Sequence, residues 1–78
     1  MELVKLKNEA LAMRLDIYFS LTLKQRRKFN DNYQWQWIED VSIEDFKEIT
    51  KSKKIIAHLI KLKDLLGKIE LQDSVKQA

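Results

Sequence analysis

With no proline, and with Gly67 as its only glycine, this chain lacks the residues from which tight β turns are made. A fold built of many short hairpins is therefore closed to it. Its segments must be joined through capped helix ends, and an all-α fold follows. At 78 residues it is a single domain whose one core leaves a narrow stability margin. Cysteine is absent, which removes disulfides and thiolate metal sites as supplements to that core. No apolar run approaches the roughly 20 residues of a membrane span, and Met1 opens no signal peptide. A soluble, cytoplasmic protein is the expectation, with no membrane partner.

Apolar spacing divides the chain. Leu3, Leu6, Ala10, Met13 and Ile17 recur at steps of three and four, with Val4, Leu11, Leu15 and Tyr18 widening the stripe, so residues 2 to about 19 form one amphipathic helix. Thr22 followed by Gln25 has the form of a capping box, which starts a second helix at Leu23. Leu23 and Phe29 are expected to face inward there, and Asn30, Asp31 and Asn32 weaken the helix. Tyr33, Trp35 and Trp37 alternate with Gln34 and Gln36, a strand-like pattern without a partner strand. Helix is preferred, with Trp37 buried and Trp35 the more exposed ring. Ser42 caps a third helix from Ile43, its first turn carrying Glu44 and Asp45 where the dipole favours anions.

Residues 50 to 54 are either a turn or a polar continuation, and Ser52 can cap a fourth helix. Ile55, Leu59, Leu62, Leu66 and Ile69 then form the most regular seam in the chain. Gly67 either ends that helix or lies inside it. The expected fold is a compact all-α bundle of three to four short helices: a single helical domain over 1–69 and a frayed C-terminal tail over 70–78.

Charge is sorted into blocks. Residues 19–38 carry Lys24, Arg26, Arg27 and Lys28 against Asp31, and residues 51–68 carry Lys51, Lys53, Lys54, Lys61, Lys63 and Lys68 against Asp64. Between them lie Glu39, Asp40, Glu44, Asp45 and Glu48 against Lys47. The net charge of +3 thus hides two basic segments, and local potential matters more to a polyanion than the net figure. If one helix ran from residue 47 onward, Lys47, Lys51, Lys54, His58, Lys61 and Lys68 would form a cationic rail. With a break at Ser52, Lys54, His58, Lys61 and Lys68 still share a side.

No catalytic constellation is visible. His58 is the only histidine, and Ser42, Thr50 and Ser52 stand at spacings that do not bring nucleophile, base and carboxylate together. A metal site would have to be all carboxylate, without the ligands that usually complete one. A phosphate-cradling glycine loop is excluded. No enzyme activity, cofactor or metal is expected.

The segments S-I-E-D-F-K-E-I and K-I-I-A-H-L-I-K-L-K-D-L-L, over roughly residues 42 to 66, resemble the second half of the HRDC domain, the helical module attached to RecQ helicases and RNase D enzymes. The glycine-containing turn usual between those two helices is replaced by Thr50, Lys51, Ser52, Lys53 and Lys54. The resemblance implies a helical bundle that assists a DNA-processing enzyme, in replication or repair, by holding structured or single-stranded DNA.

The residues point the same way: an accessory module that binds DNA, single-stranded or branched, without sequence preference. The expected contacts are Lys24, Arg26, Arg27, Lys28, Lys51, Lys53, Lys54 and Lys61 to phosphates, with Trp35 and Tyr33 as stacking surfaces. A helicase or similar enzyme is the implied protein partner. The alternative is a protein-interaction module docking on a larger enzyme through the acidic segment. The chain is expected to be a monomer, or a weak homodimer through the Leu59, Leu62 and Leu66 seam.

Overall fold

A computed structural model describes the backbone of residues 2–77 and the side chains of residues 3–72. Four α-helices and one 3-10 segment follow in the order α1 (Glu2–Ser20), α2 (Leu23–Asn30), the 3-10 segment Trp35–Asp40, α3 (Ile43–Lys47) and α4 (Lys53–Gln77). The all-α bundle expected from the sequence is the fold, and the described residues contain no strand.

The local start signals act as their chemistry requires. Thr22 Oγ1 accepts from the Gln25 amide at 3.2 Å while Gln25 Oε1 accepts from the Thr22 amide at 2.9 Å, a closed capping box. Ser42 Oγ accepts from the Asp45 amide at 3.1 Å. At the head of α4, Ser52 Oγ accepts from the Ile55 amide at 3.4 Å, and the Ser52 amide bonds back to Thr50 Oγ1 at 3.2 Å. That local turn stops α3 and starts α4, so the rail beginning at Lys47 does not form.

The two long helices carry the fold. Arg14 of α1 and Lys63 of α4 both reach Glu39, while Asp16 of α1 lies beside His58 of α4. Moving forward along α1 thus means moving backward along α4, and the pair is antiparallel. α2 and α3 pack at the end where α1 finishes and α4 begins, and the 3-10 segment lies further along the pair, with Glu39 between Arg14 and Lys63. The fully buried side chains come from all of these elements: Ile17 and Leu21 from α1 and its exit, Phe29, Ile38, Val41 and Phe46 from the short elements, Leu59 and Leu62 from α4. Ala10 and Ile69 extend the apolar contact along the hairpin. With α4 about 37 Å long at 1.5 Å per residue, the molecule is elongated, 43 × 22 × 20 Å.

Several expectations change. Residues 35–40 form a 3-10 helix, and Trp37 alone leaves helical geometry, with φ −120° and ψ 28°. At about three residues per turn, Trp35, Ile38 and Val41 align on one face. That face is the core: Ile38 and Val41 are buried and Trp35 packs against them. Trp37 falls off it and is 60% exposed. The expected order of the two indoles is therefore reversed. Leu23 is 62% exposed rather than inward, because six residues at 100° each put it some 240° from Phe29 on the same helix. Val4 and Leu11 also lie outside the buried stripe. Gly67 sits inside α4 without positive φ.

Candidate nucleic-acid interface

α2 presents its cations by simple rotation. With Phe29 buried, Lys24 and Arg27 project from the opposite side of the helix, and Arg26 and Lys28 fall on its two flanks. Each flank meets a different neighbour. Arg26 turns to the end of α1, where its Nε donates to the Leu21 carbonyl at 3.2 Å and its guanidinium lies 5.5 Å from the Phe19 ring centroid and 6.0 Å from that of Tyr18. Lys28 turns the other way, its Nζ donating to the Glu48 carbonyl at 2.7 Å, at the C-cap of α3. There a cation satisfies a free helix-end carbonyl.

That second contact joins the two basic segments. Glu48 stands three residues before Lys51, and Lys53 and Lys54 open α4 immediately after. Lys24, Arg27, Lys28, Lys51, Lys53 and Lys54 are exposed, and the Lys28 contact ties the segment of the first three to the segment of the last three. Among the described residues the ion pairs are Arg14–Glu39 and His58–Asp16. None of the eight candidate cations is in one. A cationic surface free of carboxylate partners is what a polyanion requires.

Not every candidate joins it. Lys61 is exposed but lies two turns along α4, in a shallow cleft with Met13, Asp16, Ile17 and His58. Arg26 is half-buried and its donors and ring contacts are partly committed to the α1–α2 junction. Tyr33 is half-buried on Phe29, with ring centroids 5.4 Å apart, and its hydroxyl is 3.5 Å from Asp45 Oδ2. Trp35 lies against the core. Neither ring stands free as a stacking surface.

Phe19, in the last turn of α1, is 62% exposed, and its orientation is set by an edge contact with Tyr18 at 5.4 Å and 75° and by the Arg26 guanidinium above it. Its cationic neighbour is Arg26, whose Nε is already bonded to the Leu21 carbonyl at the α1–α2 junction. Phe19 lies some 200° from Ile17 on the helix, off the buried stripe.

The fold is a small antiparallel α-hairpin packed by short helices, with exposed cations on α2 and around the start of α4 that are in no ion pair among the described residues. No family model matches the chain, and no curated protein or solved structure matches it significantly.

Proposed function

We propose that the protein is a non-enzymatic accessory module that grips nucleic acid by the phosphate backbone, without reading sequence, in support of a helicase or another DNA-processing enzyme. The single observation that carries this reading is the bond from Lys28 Nζ to the Glu48 carbonyl, which ties the basic helix α2 to the chain just before Lys51, Lys53 and Lys54, while the exposed cations of both segments are in no ion pair among the described residues. The resemblance of residues 42 to 66 to the HRDC module supports it further. Phosphate contacts of this kind position a strand and carry no base code.

The test is a fluorescence anisotropy titration of labelled single-stranded, duplex and branched DNA at two ionic strengths. If Lys24, Arg27, Lys51, Lys53 and Lys54 each neutralise one phosphate, log K for the single strand falls against log salt with a slope of about −3.5, at roughly 0.7 per phosphate. Replacing Lys53 and Lys54 together with glutamate lowers affinity at least about tenfold at low salt. Absence of binding at low salt, or binding indifferent to salt, overturns the proposal.

The second reading, a module that docks on a protein, draws on Asp40, Glu44, Asp45 and Glu48, all exposed and in no ion pair among the described residues. Glu39 is not part of that patch, since it is turned inward onto Arg14. Only the first reading requires Lys53 and Lys54. A pull-down that survives their replacement while DNA binding is lost assigns the two activities to separate faces.

A further inference from the structure

Independently of those cations, the chain turns a tryptophan out into a negatively charged recess. Trp37 is one of two indoles in 78 residues. Burying it would strengthen a small core by a large apolar area, yet it is 60% exposed. The backbone kink at this residue leaves Trp35 and Ile38 on the core side and Trp37 outside. It lines a cleft of about 660 Å³ together with Asn30, Asp31, Tyr33 and Asp40. That volume lies in the range of small-ligand pockets, roughly 300–1,000 Å³.

The cleft's chemistry has one sign. Its only ionisable acids are Asp31 and Asp40, both exposed and in no ion pair among the described residues, and no lysine or arginine lines it. A phosphate strand is repelled there. Hydrogen bonds fix the backbone around the cleft. Asn30 Nδ2 donates to the Tyr18 hydroxyl at 2.8 Å, the Tyr33 amide bonds the Phe29 carbonyl at 2.9 Å, and the Trp37 amide bonds the Gln34 carbonyl at 3.0 Å.

We infer that this cleft is a receptor for a cationic side chain, an arginine or lysine presented by a partner polypeptide, held over the Trp37 ring and between the Asp31 and Asp40 carboxylates. Tryptophan offers the strongest cation–π face of the aromatic side chains. Two carboxylates supply the charge that a guanidinium or ammonium needs to leave water. A neutral or acidic peptide has neither attraction.

The probe is the peptide acetyl-Gly-Arg-Gly-amide, with its citrulline analogue as a neutral isostere, titrated into uniformly ¹⁵N-labelled protein. The arginine peptide is expected to give saturable shifts at the Trp37 indole N–H and the Asp31 and Asp40 amides, with the citrulline peptide at least about tenfold weaker. Trp37→Ala and the double variant Asp31→Asn/Asp40→Asn should each weaken arginine-peptide binding by a similar factor. Because the side chains replaced are exposed, amide dispersion elsewhere reports that the fold is kept. Equal binding of the citrulline peptide, unchanged affinity in Trp37→Ala, or shifts confined to other surfaces overturns the assignment. So does a Trp37 indole that shifts with protein concentration alone, which would make a second copy of the chain the occupant.

Discussion

Replacing Glu39 by glutamine tests how this small bundle is held together. Arg14 Nε donates to Glu39 Oε1 at 2.8 Å and Arg14 Nη2 to Oε2 at 3.0 Å, a bidentate pair between α1 and the 3-10 segment. The two side chains are 18% and 12% exposed. Exposed pairs contribute about 0–1 kcal/mol, whereas removing one partner of a fully buried pair costs about 3–5 kcal/mol. This pair lies between, and Glu39→Gln also turns one carboxylate acceptor into an amide donor facing a guanidinium donor. A loss of about 2 kcal/mol follows. Lys63 Nζ bonds the Glu39 main-chain carbonyl at 2.8 Å, so the substitution leaves that tie to α4 intact. In a domain of this size about 2 kcal/mol lowers Tm by about 8–16 °C. The assay is thermal and urea unfolding of wild type, Glu39→Gln, Arg14→Met and the double variant, read as a double-mutant cycle with an expected coupling of about 1–2 kcal/mol. A coupling under about 0.5 kcal/mol refutes the reasoning. So does a destabilisation that vanishes in 1 M salt, since screening removes exposed pairs and spares occluded ones.

Two further predictions concern single residues. Gly67 lies in the interior of α4, without positive φ, and a Cβ built there meets nothing within 4 Å, so Gly67→Ala should stabilise the protein by about 0.5–1 kcal/mol; unchanged or lowered stability in urea unfolding would show that the helix is not continuous there. The two indoles should separate in acrylamide quenching of single-tryptophan variants: Trp35→Phe, which retains the exposed Trp37, should quench several times more steeply than Trp37→Phe, and the reverse order would mean the 3-10 register is wrong.

Fold class and helix starts were legible in the sequence because they depend on residues within one turn of each other. Thr22 with Gln25, Ser42 with the Asp45 amide, and Ser52 with the Ile55 amide are contacts spanning three residues. The scarcity of glycine and proline and the seam of Ile55, Leu59, Leu62 and Ile69 belong to the same local order. The two basic segments are visible in the sequence, but the bond from Lys28 to the Glu48 carbonyl that ties one to the other spans 20 residues and is not.

Composition, periodicity and caps alone determined that this chain is a bundle of helices, and where most of them begin. Only tertiary packing decided which indole faces water, whether Gly67 interrupts α4, and that Lys28 meets the end of α3, which ties one basic segment to the other. The division has a physical cause. Helix initiation is settled by hydrogen bonds across three or four residues, whereas exposure and charge clustering depend on which elements cover one another, and that is fixed by contacts between residues dozens of positions apart.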